Sequence, residues 1–257
     1  MPRIIRDAAN VVKKKVPFPA QLAVSHEIRN KYMEECAKHN LPQLIAAPRT
    51  DRLSIVCFGP TLHDTWSEVK HPALTVSGAH DFMIERGFVP EYHMDCDPRP
   101  HKVKFTEKPH KDVTYLMASC CDPKVWENLK GFNVKVWHMH NGKETTDWVS
   151  RNAPWSAVVG GGSTAGLRAI QIGGILGFRK FDIYGMDCSS VDGELRAGES
   201  NAPPQNKMRV RIKDRIFDTT DLMINAATEY LNHMEAYPMI DCVLHGDGFL
   251  QNLVKNK

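Results

Sequence analysis

From residue 53 onward, short apolar runs alternate with segments of helical periodicity, and this alternation constrains the fold more than any other feature of the sequence. The runs have the length of buried strands and are bounded by Gly, Pro, Asp or Ser. They occupy residues 53–58, 74–76, 92–94, 114–118, 134–138, 157–159, 181–184, 208–212 and 242–244. Strands separated by helices are typical of an α/β fold with a mostly parallel sheet. We therefore predict such a sheet, flanked by helices, over residues 51–257.

The turns that follow the strands are the first place to look for a binding site. In open parallel sheets, ligands bind outside the carboxyl ends of the strands, near the point where the strand order reverses. The turns at Gly59, Ser77, Asp95, Gly160 and Gly185 all follow apolar runs. We expect them to lie along one edge of the sheet.

Residues 1–50 precede the alternation and have a different character. They contain a short basic run at 13–15, prolines at 17 and 19 soon after it, and a predicted helix from about Ser25 to His39 with apolar residues at helical spacing. We interpret this segment as an N-terminal helical extension. It either packs on the body or mediates self-association, which would make the protein a homo-oligomer.

Residues 189–208 interrupt the pattern with a polar stretch that contains Gly and Pro and almost no apolar anchor. A loop of this length inside a compact domain is usually functional or disordered. The sequence leaves two readings open: a lid that covers a substrate, or a flexible surface loop.

Composition excludes several classes of protein. The chain has 257 residues, a net charge of +3 and 25% charged residues, which gives no general signature of nucleic-acid binding. No run approaches the ~20 apolar residues of a membrane span, and no apolar leader is visible. The seven cysteines include no C-x-x-C pair, so we expect reduced thiols in a cytoplasmic protein.

A turn of small residues follows the run at 157–159. It consists of Gly160, Gly161, Gly162, Ser163 and Thr164 and opens a helical pattern that reaches about residue 177. Glycines permit a tight turn, and a hydroxyl residue can cap the helix. Because a glycine turn at a helix start can hold an anion on backbone N–H groups, we predict one wall of a nucleotide-phosphate site here. A strand-to-helix turn without a ligand is the alternative.

The turn Gly59-Pro60-Thr61 after the first strand is a second candidate for phosphate contact. The sequence contains neither a full G-x-G-x-x-G after a strand nor a Walker A loop, so an ordinary NAD site or P-loop is disfavoured. The alternative is a structural turn.

Acidic residues also stand at predicted strand ends. Asp95 and Asp97 lie two apart, so an extended backbone places both carboxylates on one side. Together they could hold Mg²⁺, which prefers oxygen ligands and often shares them with phosphates. The alternative is that one of them caps the turn made by the following prolines.

Three further strand ends carry candidate groups. Asp187 could contact a ribose hydroxyl, a metal or an acceptor, or simply form a turn. His245 has the side chain of a general acid or base near neutral pH, or is a turn histidine. His138 and His140 share a face, but no third metal ligand lies near them in sequence.

Several of these motifs occur in a characteristic order. The series is Gly59-Pro60-Thr61-Leu62, Ser77-Gly78-Ala79, the stretch 84–90, Asp95-x-Asp97-Pro98, the stretch 161–169, Leu176-Gly177-Phe178 and Tyr184-Gly185-Met186-Asp187. Over residues 52–250 it resembles the 6-hydroxymethylpterin diphosphokinase MptE-like family. That Rossmann-like domain also occurs in bacterial motility accessory factors that modify flagellin. A more distant similarity is to bacterial sialyltransferases.

The resemblance implies a Rossmann-like nucleotide-binding domain and a set of site residues. Together with the strand-end positions, it leads us to predict donor contacts at Gly59, Pro60, Thr61, Ser77, Gly78, Gly161, Gly162, Ser163 and Thr164, and catalytic roles for Asp95, Asp97, Asp187 and, from its position alone, His245. Asp95 and Asp97 are predicted to hold Mg²⁺ or the acceptor. The chain departs from the family pattern at Thr61, where Ser is common, and at Cys57-Phe58, which replaces a smaller approach.

Three functions remain open at this point. The first is a nucleotide-dependent transferase that moves diphosphate from ATP, with Mg²⁺, to a pterin-like hydroxymethyl acceptor. The second is a glycosyltransferase that uses a CMP-sugar or another nucleotide-sugar and acts on a glycan or protein. The third is a protein that binds a nucleotide or similar ligand without turnover.

Overall fold

The computed structural model describes residues 5–12, 23–45, 49–198 and 207–256. The basic run at 13–15 and residues 199–206 of the predicted loop lie outside these ranges.

Short strands and helices alternate through the described chain. The strands are β1 (Ile5–Asp7), β2 (Arg52–Val56), β3 (Ala73–Val76), β4 (Tyr92–Asp95), β5 (Thr114–Ala118), β6 (Asn133–Met139), β7 (Val158–Val159), β8 (Lys180–Tyr184), β9 (Lys207–Ile212), β10 (Arg215–Thr220) and β11 (Asp241–Leu244). The α-helices are α1 (Ala8–Val11), α2 (His26–Lys38), α3 (Leu62–Thr65), α4 (Ala79–Ile84), α5 (Lys124–Asn128), α6 (Lys143–Asn152), α7 (Ala165–Ile175), α8 (Asp221–Ala236) and α9 (Phe249–Lys255). Two 3-10 helices span Trp66–Glu68 and Pro100–Thr106.

Eight of the strands form a parallel sheet in the order β11-β8-β2-β3-β4-β5-β6-β7. The chain builds outward from β2 to β7 and then returns to place β8 on the other side of β2. The strand order therefore reverses between β2 and β8. This confirms the predicted Rossmann-like α/β fold and fixes the switch point at which such sheets bind ligands.

The central strands are apolar because both faces of the sheet are covered. On β2, Leu53 and Ile55 belong to the core beneath α7, whereas Val56 packs with Leu62 and Met83 from α3 and α4 on the other face. All five of these side chains are fully buried. A parallel sheet sandwiched in this way has rigid strand ends, and those ends position the site.

Helix α7 makes the long connection from β7 back to β8 and packs on β2 and β3. Thr164 is its N-cap and accepts a hydrogen bond from the backbone N–H of Leu167 (3.4 Å). Beyond its end, Gly177 has a φ of +103°, the left-handed conformation that ends many helices. The predicted cap and stop are therefore both present.

The N-terminal helix α2 packs against the main core. Ser25 caps it, and Met33 and Cys36 on its inner face belong to the main core. The chain after it hydrogen-bonds to β6, since the Leu44 N–H donates to the Val136 carbonyl (2.9 Å). The boundary predicted at residue 50 and self-association through this segment stay predictions.

A smaller three-stranded sheet, in the order β1-β9-β10, lies beside the main one. Strand β10 pairs antiparallel with β9 through a tight turn at residues 213–214. Thr220 at its end caps α8 through the N–H of Met223 (3.2 Å).

No helix within the described ranges is long and apolar enough to cross a membrane. The seven cysteines all lie within those ranges and are free thiols in the structure.

Two neighbouring glycines of α7 test how the helix packs. A Cβ at Gly173 would lie 2.5 Å from Phe181 Cε1 and 3.1 Å from Leu53 Cδ2, whereas a Cβ at Gly174 would meet nothing closer than Arg179 Nη1 at 3.9 Å. We expect Gly173→Ala to lower the free energy of unfolding by about 1–3 kcal/mol through overpacking. Gly174→Ala should raise it by about 0.5–1 kcal/mol through helix propensity.

Urea unfolding of both variants would measure the two effects. Equal stabilisation by the two substitutions would contradict the close approach of α7 to β2 and β8.

Candidate functional site

The turns after β2 and β8 meet backbone to backbone at the switch point. The Gly59 N–H donates to the Gly185 carbonyl (2.8 Å). A Cβ on Gly185 would clash with the Cys57 carbonyl oxygen, and a Cβ on Gly59 would clash with the Gly185 carbonyl oxygen. Both positions therefore require glycine, because only a residue without a side chain permits this approach.

Asp187 fills the space between the two turns. Its carboxylate accepts hydrogen bonds from the Thr61 N–H (2.9 Å) and the Thr61 hydroxyl (2.5 Å), and a longer one from Gln251 Nε2 (3.4 Å). The side chain is buried. Burial raises the pKa of Asp187, and the hydrogen bonds from Thr61 partly oppose that rise. In this geometry Asp187 and Thr61, with Gly59 and Pro60, form a packed junction between the ends of β2 and β8.

Ser77, Asp95 and Lys102 form a cluster at the ends of β3 and β4. The Ser77 hydroxyl donates to Asp95 Oδ2 (2.9 Å), and Lys102 Nζ donates to Ser77 Oγ (3.1 Å) while lying 3.8 Å from Asp95 Oδ2. Ser77 has a φ of +51°, which is uncommon for a residue with a side chain. Such conformations cost free energy and concentrate at functional sites.

The residues around this cluster hold it in place. Gly78, which follows Ser77, lies directly under the Phe58 ring, so no side chain would fit there. Asp95 Oδ1 accepts from the N–H groups of Cys96 (2.7 Å) and Asp97 (3.1 Å). Asp95 therefore caps its own turn and faces Ser77 with its other oxygen.

Asp97 points toward Arg99. The Arg99 guanidinium donates to both carboxylate oxygens, with Nη2–Oδ2 at 2.5 Å and Nε–Oδ1 at 2.9 Å. Burial alone would raise the pKa of Asp97, but the bonds from Arg99 and the nearby charge of Lys102 give a net lowering. The carboxylate is therefore ionised and paired at neutral pH.

This pairing bears on the expected Mg²⁺ site. Mg²⁺ would need free oxygen lone pairs, but Arg99 engages both oxygens of Asp97, and Ser77 and Lys102 lie against Asp95 Oδ2. Within the described residues, no group of three or more His, Cys, Asp or Glu side chains is arranged to hold a metal ion. The pair does not fit a preformed Mg²⁺ site as it stands, and the role of the metal stays a prediction.

The glycine turn has an acidic side chain bound to it. Glu229 Oε2 on α8 accepts from the Ser163 N–H (2.8 Å) and the Ser163 hydroxyl (2.6 Å). Gly161 and Gly162 precede this contact with φ values of +98° and +125°. The turn therefore presents N–H and hydroxyl donors to a carboxylate oxygen, which is the chemistry expected of an anion-binding turn.

The start of α7 brings this turn to the switch point. A Cβ on Gly166 would lie 2.9 Å from Cys57 Sγ and 3.0 Å from Met186 Cε, so the helix starts directly against the ends of β2 and β8. Arg168, one turn later, is buried and donates to the carbonyls of Val159 (3.1 Å) and Gly160 (3.3 Å). The structure thus brings together the turns at 59, 160 and 185, as expected of a parallel sheet.

His245 is positioned differently from the other predicted residues. Its ring stacks on Tyr184 (4.2 Å between centroids), and its Nε2 lies 3.2 Å from Asp182 Oδ1 in an ion cluster with Arg52 and Glu68. None of these partners is another predicted site residue. Its catalytic role stays a prediction.

The two histidines that the sequence places on one face, His138 and His140, differ in burial. His138 is buried, with Nδ1 2.8 Å from the Ser119 hydroxyl, and burial lowers its pKa to about 4. His140, two residues later, is exposed at the strand end.

The described part of the predicted loop folds back over the first turn. The Ala197 N–H donates to the Phe58 carbonyl (3.1 Å), and Ala197 is buried. Next to it, the positive charge of Arg196 acts to lower the pKa of Asp187, as the hydrogen bonds from Thr61 and Gln251 do more strongly. Burial outweighs all of them, and the net shift is upward. The segment at Ala197 therefore packs against the turn after β2, and the lid interpretation of the full loop stays a prediction.

Sequence reasoning missed the cations of the site. Lys102, Arg99 and Arg196 follow the acidic motifs by a few residues, and Arg168 lies inside the stretch 161–169. The available signal was a basic residue that follows an Asp at a strand end. The sequence does not show which way such a side chain turns, so this signal alone could not assign the cations to the site.

Comparisons with known proteins identify a family and a fold. A family model described as 6-hydroxymethylpterin diphosphokinase MptE-like matches residues 27–193. A solved structure of the MAf glycosyltransferase from Magnetospirillum magneticum AMB-1 superposes with a TM-score of 0.62 at 15% identity. At this identity the match shows the fold alone, and this chain spans 38% of the length of the other, with 88% of its own length covered. A comparison with curated protein sequences gives no significant match.

The bond between Thr61 and Asp187 can be tested with an isosteric variant. Thr61→Val removes the hydroxyl donor and leaves a buried carboxylate short of a partner, so we expect a loss of about 1–3 kcal/mol in unfolding free energy at neutral pH. Thr146→Val is the control, since Thr146 is exposed and bonds only to the Gly142 carbonyl (3.3 Å), and should change stability by less than about 0.5 kcal/mol.

The pH dependence of that loss has a defined sign. The pKa of Asp187 is already raised by burial in the folded state, and loss of the Thr61 hydroxyl raises it further. Below the usual pKa of Asp the carboxyl is neutral in both states; as pH rises through the folded pKa, the folded state must bury the charge. The destabilisation by Thr61→Val should therefore grow from acid to neutral pH. A pH-independent effect in urea unfolding would contradict this role of Asp187.

Proposed function

The chain belongs to the 6-hydroxymethylpterin diphosphokinase MptE-like family, and on that premise we propose that it is a nucleotide-dependent transferase. The leading reaction is transfer of diphosphate from ATP to the hydroxymethyl group of a pterin-like acceptor. The site would lie at the carboxyl ends of β2, β3, β4 and β8.

The observation that carries this proposal is the cluster of Ser77, Asp95 and Lys102. The Ser77 hydroxyl is hydrogen-bonded to both the Asp95 carboxylate and the Lys102 ammonium group, on a strained turn beside the switch point, and the two charged groups lie 3.8 Å apart. Lys102 is partly exposed, so its charge is accessible to a ligand. Donor phosphates are attracted to such a cation, and a carboxylate beside it can receive the proton of an acceptor hydroxyl.

The reaction requires little covalent chemistry from the protein. The acceptor oxygen bonds to the β-phosphorus of ATP, the bond from that phosphorus to the α,β-bridging oxygen breaks, and AMP leaves. Catalysis of phosphoryl transfer rests mainly on positioning and charge neutralisation. In the proposal Lys102 and Arg99 neutralise the phosphates, Ser77 orients them, and Asp95 takes the acceptor proton.

The glycine turn would contribute a second set of phosphate contacts. Its donors already bind an oxyanion of the chain itself, the Glu229 carboxylate. A donor phosphate would compete with Glu229 for Ser163. A requirement for Mg²⁺ belongs to the ATP reaction and not to the glycosyl reaction considered next.

A second candidate is glycosyl transfer from a CMP-sugar or another nucleotide-sugar. One observation favours it: Arg99 and Lys102 lie beside Asp97 and Asp95, where a metal would otherwise be expected. Two cations can neutralise a nucleotide phosphate without a divalent ion. The acceptor in that case would be a glycan or protein hydroxyl.

Titration calorimetry with ATP, CTP and CMP, with Mg²⁺ or with a chelator, separates the candidates. The ATP reaction predicts binding that weakens when the metal is chelated, and the glycosyl reaction predicts CMP binding that is indifferent to it. Product assays then distinguish turnover from binding alone. The absence of binding by every nucleotide at millimolar concentration would refute the proposal.

Lys102 supplies the sharpest variant. Lys102→Met keeps the apolar stem but removes the charge, so we expect nucleotide affinity to fall about tenfold or more, since charge-assisted hydrogen bonds contribute ~1.5–3 kcal/mol. Lys111→Met is the matched control, because Lys111 is exposed and pairs only with Asp112 (3.1 Å). Equal affinities in the two variants would exclude Lys102 from the donor site.

A further inference from the structure

Two buried arginines lie at the same edge of the sheet, beyond the cluster at Ser77. Arg29 comes from α2 and is 1% exposed, and Arg168 comes from the first turn of α7 and is 7% exposed. In the described part of the chain, neither guanidinium lies within ion-pair distance of a carboxylate. A buried charge without a paired charge is unusual, because burial removes its hydration.

The hydrogen bonds of the two side chains leave donors unused. Arg168 Nη1 donates to the carbonyls of Val159 and Gly160, at the base of the glycine turn. Arg29 Nη2 donates to the amide oxygen of Asn141 (3.1 Å), in the orientation that also lets this amide donate to the His140 carbonyl (2.9 Å). Arg29 Nε is buried and has no partner among the described residues.

The two guanidiniums bind neighbouring parts of the chain at the ends of β6 and β7. Arg168 Nη1 and the His140 N–H both donate to the Val159 carbonyl (3.1 and 2.9 Å), and Asn141, the partner of Arg29, directly follows His140. The pKa of Arg29 is lowered, first by burial; the charge of Arg168 adds to that lowering, while Cys120 and Glu144 oppose it. Burial raises the pKa of Cys120 to about 11, and the charges of both arginines oppose that rise. Glu144 influences Arg29 but lies outside ion-pair distance.

We propose that Arg29 and Arg168 together bind an oxyanion, a phosphate or carboxylate group of a substrate, beside the carboxyl ends of β5, β6 and β7. Two guanidiniums present several N–H donors in planar forks that match such groups. An anion between them would supply the partner that Arg29 Nε lacks and offset the repulsion between two buried cations. The glycine turn, which Arg168 holds by two carbonyls, would form the adjoining wall.

The proposal deepens the proposed function and rests on it for the identity of the ligand. The oxyanion is either a phosphate of the nucleotide donor or an acidic group of the acceptor. It also gives α2 a direct part in the site, since Arg29 lies in the segment before residue 50. The N-terminal segment would then complete the binding site as well as the core.

Two variants and a matched control test the site. Arg29→Met and Arg168→Met keep the length and apolar contacts of each side chain and remove the guanidinium. Arg179→Met is the control, because Arg179 likewise donates to two carbonyls beside α7, those of Gly174 (2.8 Å) and Phe178 (2.7 Å), but at the opposite end of the helix. Circular dichroism and thermal unfolding without added anion check that each variant folds.

Calorimetric titration with inorganic phosphate and with acetate, at constant ionic strength, gives the readout. We expect saturable phosphate or acetate binding by the unmodified protein and by Arg179→Met, and at least tenfold weaker binding by Arg29→Met and Arg168→Met. Arg29→Lys keeps the charge without the fork and should bind with intermediate affinity, and it serves if Arg29→Met does not fold. Preference for phosphate identifies the donor as the source of the anion, and preference for acetate identifies an acidic acceptor.

The outcomes separate this inference from the proposed function. No saturable anion binding, or equal binding by Arg29→Met and Arg179→Met, would overturn the arginine site, even if nucleotides bind in a Lys102-dependent way. Anion binding that depends on Arg29, in a protein that binds no nucleotide, would leave the arginine site standing and remove the proposed function.

Discussion

The hydrogen bonds between Asp187 and Thr61 are the interaction on which the rest of the site depends. They join the turns after β8 and β2 at the one place where the strand order reverses. The neighbouring glycines, Gly59 and Gly185, let the two backbones approach closely enough for one carboxylate to reach both the N–H and the hydroxyl of Thr61. Because the carboxylate is buried, its bonds are costly to break, so the junction between the two turns is rigid.

The acidic side chains around that junction are paired within the protein, and basic side chains lie beside them. The strand-end carboxylates are engaged by the protein itself: Asp187 by Thr61, Asp95 by Ser77 and Asp97 by Arg99. Lys102 and Arg99 lie next to these carboxylates, and Arg29 and Arg168 lie farther along the same edge of the sheet. Their positive charge favours the binding of phosphates. The proposed phosphate sites at Lys102 and at the arginine pair would share one edge, as expected when parallel strands point their carboxyl ends the same way.

The sequence predicted the periodic and local features well. Strand-length apolar runs gave the α/β class, and the cap of α7 at Thr164 followed from the hydroxyl residues after the glycine turn. Features that depend on pairing between distant segments were not predicted. The small sheet needs β1 to meet β9, and no local pattern in such short segments indicates which strand will be its neighbour.

The sequence by itself determined where the turns fall, which of them carry Gly, Ser, Thr or Asp, and that they share one edge of a parallel sheet. Only the tertiary structure decided what each side chain faces: Asp187 turns toward Thr61, Asp97 toward Arg99, and Ser163 toward Glu229. It also brought Arg29, from before the alternating pattern, to Asn141 beside His140, whose N–H shares the Val159 carbonyl with Arg168. The reason is physical, since backbone periodicity is set by neighbours in sequence, whereas the partner of a charged group is set by which distant segments pack against it.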